Sequence, residues 1–153
     1  MVADLAGPRS DGSYIALQLD ALSFAQTAGS VGVALDGSAM LSVDAWIRFN
    51  GLGAQTCALA QGGSFAFGTM GGSVYLQFTG FPLVLSDPGQ AQLRDDTWHH
   101  ICATFDGSTV RLYIDGVFNS GQLITGTGAS TTNPVQIGSG LQGLVRRVRL
   151  YNQ

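Results

Sequence analysis

Asp-Gly and Gly-Gly steps cut this chain into short pieces. Asp-Gly falls at Asp11-Gly12, Asp36-Gly37, Asp106-Gly107 and Asp115-Gly116, and Gly-Gly at Gly62-Gly63 and Gly71-Gly72. Such pairs supply the positive φ angles that type I′ hairpin turns need. Between them lie runs that alternate apolar and polar residues with a period of two. Ser73 to Thr79 sends Val74, Leu76 and Phe78 one way, and Tyr75 and Gln77 the other. Thr109 to Asp115 sends Val110, Leu112 and Ile114 inward, and Arg111 and Tyr113 outward. Strands are expected near 15–20, 31–35, 40–49, 55–61, 64–69, 73–79, 81–86, 98–105, 109–114, 117–124, 134–138 and 143–152. No helix of three turns is expected. The Ala-rich stretch Ala54 to Gln61 is the one rival, as a helical turn, and Thr56 and Cys57 favour extended chain there.

Composition narrows the class further. All seven basic residues are Arg and all ten acidic residues are Asp, so Lys and Glu are absent, while Gly numbers 22. Two good helix formers are therefore missing and a poor one is abundant. The reading is a single all-β domain: residues 1–13 form an N-terminal extension and residues 14–153 the domain. The missing residues also exclude chemistry. Without Lys there is no Schiff base and no phosphate-binding loop lysine. Without Glu there is no H-E-x-x-H zinc protease and no EF-hand. A glycosidase would have to run on an Asp pair, and the adjacent Asp95 and Asp96 diverge if extended. Net charge is −3 and no basic stripe exists, which argues against nucleic acid. No apolar run is long enough to span a membrane. Met1 to Ser13 lacks the basic and apolar regions of a signal peptide. The chain is thus read as cytoplasmic, as a mature form or as an excised domain.

The most informative segment is Asp96 to Gly121, two alternating strands around Asp106-Gly107 followed by a second turn at Asp115-Gly116. A loop centred on Gly107-Ser108 pairs Phe105 with Val110, Ala103 with Leu112 and Ile101 with Ile114. A loop at Asp106-Gly107 slips the register by two and keeps every face. W-H-H-I-C-A-T-F-D-G-S-T-V-R-L-Y-I-D-G resembles the core hairpin of laminin-G-like, concanavalin A-like lectin/glucanase domains. Leu41 to Phe49 is similar to that family's strand with an inward Trp, and Val135 to Asn152 to its closing strand. The resemblance implies a two-sheet antiparallel jelly-roll sandwich, with members that bind glycans or proteins outside cells and some that belong to glycan-active enzymes. Where the family's closing strand carries an acidic pair, this chain has Arg146-Arg147. His-Ile-Cys at 100–102 also resembles pentraxins, whose Cys pairs with one on the Trp-bearing strand. The matching position here is Asp44, and the pentraxin calcium cluster has no counterpart in Gly138 to Gly143.

Candidate site residues follow from exposure and chemistry. Tyr75 and Tyr113 are read as outward stacking platforms for sugar rings, with Gln77 and Arg111 bonding the hydroxyls and His100 beside them. His100 is expected to be hydrogen-bonded across the hairpin, near Tyr113 or Asp115. Trp46 and Trp98 are read as core anchors. No cofactor is required; a single rim calcium remains an option, with Asp20 and Asp36 foremost and Asp87, Asp95 and Asp96 behind them. Arg147, Arg149 and Tyr151 share a face, either a solvated edge or a grip for a carboxylate or sulfate. Cys57 and Cys102 are left open between a bridge and free thiols.

The expectation for function is a non-catalytic, lectin-like domain whose partner is a glycan or glycoprotein, located outside the cell as the family implies. A protein-interaction or self-assembly module is the alternative, with Gly80 to Leu85 as a sticky edge and a homo-oligomer lending avidity. A glycoside hydrolase or lyase is the remote third.

Overall fold

The computed structural model describes residues 17–19, 25–30, 40–49, 56–61, 64–87, 93, 95–125, 133–141 and 143–152. Twelve strands are described: β1 (Leu17–Leu19), β2 (Ala25–Ser30), β3 (Leu41–Arg48), β4 (Thr56–Gln61), β5 (Phe65–Met70), β6 (Ser73–Phe78), β7 (Val84–Leu85), β8 (His99–Phe105), β9 (Thr109–Ile114), β10 (Val117–Leu123), β11 (Pro134–Ile137) and β12 (Gly143–Asn152). They form two six-stranded sheets. The front sheet runs β1-β12-β3-β8-β9-β10 and the back sheet β2-β11-β4-β5-β6-β7. Every pairing between described strands is antiparallel. This is the expected all-β jelly-roll sandwich. No helix among the described residues is long and apolar enough to cross a membrane.

Alternation packs the core. Val43, Ala45 and Ile47 of β3, Ile101 and Ala103 of β8, and Val110 and Leu112 of β9 are fully buried on the inner face of the front sheet. Phe67 of β5 and Val74 and Leu76 of β6 meet them from the back sheet. Burying such a side chain contributes about 1.5–3 kcal/mol.

The glycine steps do what their sequence requires. Asp115 and Gly116, at φ 52° and 80°, close a two-residue turn that pairs Ile114 with Val117. Gly71 and Gly72, at φ 60° and 93°, do the same between Met70 and Ser73. The Asp106 loop is longer. Phe105 pairs with Val110, Ala103 with Leu112 and Ile101 with Ile114, the register of a loop centred on Gly107-Ser108. There the Asp106 carboxylate accepts from the backbone N–H groups of Ser108 and Thr109, at 3.0 and 2.8 Å.

Several expectations change. The strand expected at 31–35 lies outside the described residues, as do Asp11-Gly12, Asp36-Gly37, Gly62-Gly63 and the 1–13 extension. A strand not expected stands at Ala25–Ser30, where the small polar sequence A-Q-T-A-G-S gives no alternation signal. Residues 56–61 are strand, not helical turn. Trp46 is not an inward core anchor. Leu41, Val43, Ala45, Ile47 and Phe49 take the buried positions, so parity sends Trp46 outward, half-buried. Cys57 and Cys102 stand on strands of different sheets, and Cys102 is a free thiol.

The closing strand carries a further surprise. Its register against β3 slips between Arg146 and Arg149, and Arg147 sits at φ 53°. This bulge lets Val145, Val148 and Leu150 all face the core. It also places Arg146, rather than Arg147, on the outer face with Arg149 and Tyr151. Gly143 makes the approach of β12 to β3 feasible. A Cβ there would lie 2.5 Å from the Arg48 carbonyl oxygen.

Candidate functional site

Charge separates the two sheets. None of the six strands of the back sheet contains Asp, Arg or His. The front sheet carries Asp44 and Arg48 on β3, His99 and His100 on β8, Arg111 on β9, and Arg146, Arg147 and Arg149 on β12. Most of these project from the outer face, because alternation gives the inner face to the apolar set.

Register orders the outer face into rows. One row runs Arg149, Asp44, Cys102, Tyr113, Phe118 across five strands. The next runs Arg146, Trp46, His100. A third runs Tyr151, Ser42, Thr104, Arg111. Ser42, Thr104 and Tyr151, with Met40, Phe105 and Asp106, line a depression of about 400 Å³.

Asp44 is the pivot of the first row. It is 6% exposed, and burial alone would raise its carboxyl pKa. The His100 ring nitrogen at 3.2 Å and the Arg149 guanidinium at 2.8 Å overcome that and hold it below the ordinary carboxylate value. The Cys102 thiol lies opposite Asp44. Burial first, then the Asp44 charge, push it up to about 11. A thiol so poorly ionised is a weak nucleophile.

The second row is aromatic and cationic. The Arg146 guanidinium carbon lies 4.2 Å from the Trp98 ring centroid and 5.2 Å from that of Trp46. The Trp46 ring in turn meets His100 at 5.3 Å. Each cation–π contact of this kind contributes about 0.5–2 kcal/mol.

A histidine clamp closes one end of the front sheet. The Nδ1 of His99 meets Asp115 at 2.8 Å, and its Nε2 meets Asp95 at 3.0 Å and the Thr97 hydroxyl at 3.1 Å. Burial lowers the His99 pKa, but the two carboxylates outweigh it and the net shift is upward. Asp95, held by Thr97 first and His99 next, falls to about 2. Asp96, at φ 61°, grips Arg48 through two hydrogen bonds of 2.9 and 3.0 Å.

The expected sugar patch divides between the two sheets. His100, Arg111 and Tyr113 share the outer face of the front sheet, whereas Tyr75 and Gln77 lie on β6 in the back sheet. Tyr75 is 5% exposed, too buried to stack on a ligand, while Gln77 is exposed. Tyr113 packs edge-on against Phe118 at 5.8 Å, and Arg111 is paired with Asp106. His100 is hydrogen-bonded across to β3 through its side chain; Asp115 instead accepts from its backbone N–H. Asp20 and Asp36 lie outside the described residues. Asp95 and Asp96 are committed to His99 and Arg48, and no group of three metal-ligating side chains occurs among the described residues. Sequence reasoning missed Trp46, Trp98, Asp44 and Arg146 as parts of one surface. The signal for Trp46 was present, since it alternates with five apolar neighbours of opposite parity.

A family model described as the concanavalin A-like lectin/glucanases superfamily, of laminin-G type, matches residues 17–153. A search of curated protein sequences finds no match. Among solved structures, the binding domain of Paraclostridial Mosquitocidal Protein 1 is similar at 14% identity and a TM-score of 0.68, covering 99% of this chain and 42% of that one. Domains LG4-5 of the mouse laminin alpha1 chain follow at 18% identity and a TM-score of 0.65, covering 88% and 40%. Domain 4 of AbnA, a GH43 extracellular arabinanase from Geobacillus stearothermophilus in complex with arabinotriose, gives 15% identity and a TM-score of 0.66, covering 99% and 75%. The chain thus spans less than half the length of the first two. At these identities the likeness speaks to fold. With its two six-stranded sheets and the match over residues 17–153, the chain belongs to the concanavalin A-like lectin/glucanases superfamily, as a laminin-G-like domain.

Proposed function

We propose that this protein is a non-catalytic carbohydrate-binding domain that works outside the cell, and that its sugar lies on the outer face of the front sheet. The observation that carries the reading is the set of half-buried rings and polar groups there: Trp46 beside His100, Trp98 against Arg146, and Tyr113, Ser42 and Thr104 in neighbouring rows. Ring faces pack on the CH faces of a pyranose, and the polar groups bond its hydroxyls. A catalytic reading has little to draw on. Asp44 is tied to Arg149, and the Cys102 thiol is held protonated. Two similar structures support the binding role by name, one a binding domain and one holding arabinotriose.

A glycan array at two calcium levels tests this. Binding is expected to at least one glycan, to be lost in Trp98→Ala with the circular dichroism spectrum unchanged, and to persist in Gln26→Ala on the back sheet. If no glycan binds, or if Trp98→Ala binds as before, the reading fails. Calcium dependence would show that a metal ion takes part in binding.

One observation favours a second reading, self-association. The edge strand β10 has no charged residue and exposes Val117, Phe118 and Leu123 by 66%, 54% and 66%. Uncharged edges of this kind pair readily with other strands. Light scattering that finds a stable oligomer, with an array that finds no glycan, would favour it.

A further inference from the structure

Three of the described arginines hold a carboxylate. Arg48 grips Asp96, Arg111 grips Asp106 and Arg149 grips Asp44. Arg146 does not. Its guanidinium meets two indole rings, and its Nε is buried with no acceptor among the described residues. A buried donor left unmade costs about 1–3 kcal/mol, more for a charged group. Val145 faces the core and Arg146 pairs with Trp46, so alternation turns Arg146 outward; the bulge that follows, with Arg147 at φ 53°, brings Arg149 onto the same outer face. Non-glycine residues in that conformation cost about 1–3 kcal/mol and cluster at functional sites.

We infer that Arg146 is the anchor for a carboxylate, and that the saccharide bound by the front sheet is therefore a uronate. The inference rests on the carbohydrate-binding reading above and names its ligand class. A uronate joins on one ring the two features this surface asks for. Its CH face suits the Trp46 and Trp98 indoles, and its carboxylate suits a planar fork. The fork stacks on both rings, and its Nε has no acceptor among the described residues. Asp44, in the adjoining row, is paired with Arg149 and His100 rather than with Arg146.

Trp46 and Trp98 are the two tryptophans of the chain, so tryptophan fluorescence reports on this site directly. The experiment titrates the full chain with oligomers of polygalacturonate, hyaluronan and alginate, and with the methyl ester of the galacturonate oligomer, which keeps the shape and removes the charge. At least one acid is expected to shift the emission and to bind about tenfold or more tighter than an uncharged counterpart, with affinity falling as salt rises. Arg146→Gln should abolish that preference, and Arg146→Lys should recover only part of it, because a point charge cannot replace the fork. Several results would overturn the inference. Equal binding of acid and ester, or neutral glycans binding while all three acids fail, removes the uronate and leaves the carbohydrate reading standing. Dextran sulfate or polyglutamate binding as tightly as the acids makes the site a general anion patch. No glycan of either kind binding removes both readings.

Discussion

The two sheets share one core but expose opposite chemistries. The front sheet carries arginines, His100, the buried Asp44 and Trp46 on its outer side. The back sheet turns out Ala66, Gly68, Met70, Tyr75 and Gln77, and its strands hold no ionisable acid or base apart from the Cys57 thiol and the Tyr75 phenol. Inner faces are alike because both must pack hydrocarbon at close density. Outer faces are free to differ, since a solvent-facing residue changes stability little. A sheet that spends that freedom on a buried ion pair and stacked cations is doing so against desolvation, which points to recognition rather than stability.

The core supplies the baseline for this comparison. Leu112→Ala in the front sheet and Leu76→Ala in the back sheet should each cost about 2–5 kcal/mol in urea unfolding. Both side chains are fully buried. A loss under about 1 kcal/mol in either would mean the sheets do not share one core.

The next effect separates the faces. Arg149→Met leaves the buried Asp44 carboxylate with only His100, and should cost about 3 kcal/mol. The matched change Gln77→Met, on the back face, should stay within about 0.5 kcal/mol. Equal effects would erase the distinction between the two surfaces.

Acid sharpens it further. The Asp44 carboxyl is lower in the folded chain than its unfolded value of 3.8, so its contribution is present above pH 4 and fades as pH falls through the folded value. The melting temperature of Arg149→Met should therefore fall less steeply below pH 4 than that of the parent chain. His99 works the other way. Its folded pKa lies above 6.5, so the clamp is fully charged below that pH and weakens as pH rises through the raised value. The parent chain should lose a few degrees there relative to His99→Gln; parallel curves would show that the clamp is not ionic.

A smaller effect concerns Cys102. With its thiol near 11, alkylation by iodoacetamide at pH 7.5 should be far slower in the folded chain than in urea. Smallest of all, Phe118→Ser on the β10 edge should leave stability within about 1 kcal/mol, since the ring is 54% exposed, while lowering self-association if that edge pairs.

Much of the fold was legible in local pattern. Asp115-Gly116 and Gly71-Gly72 demanded tight turns because few other pairs tolerate two positive φ angles. Alternation on both sides of the Asp106 loop gave the inner face but left the register open by two, and the structure pairs Phe105 with Val110. The bulge in β12 was not read, although Val145, Val148 and Leu150 break a period of two by one residue. The site was less legible. Tyr75 and Tyr113 read alike, each one outward residue on an alternating strand. Only the sheet order reveals that they face away from one another, and only packing reveals that Tyr75 is covered.

The sequence by itself determined the class of fold, the turns and the inner faces, because positive φ and two-residue periodicity act over a few neighbouring residues. It also removed the chemistry of Lys and Glu outright. Tertiary structure alone decided that Asp44, 105 positions from Arg149, would hold it, and that Arg146 would lie between Trp46 and Trp98. Those contacts depend on which strands become neighbours, and strand order is settled by the joint burial of both sheets rather than by any local run.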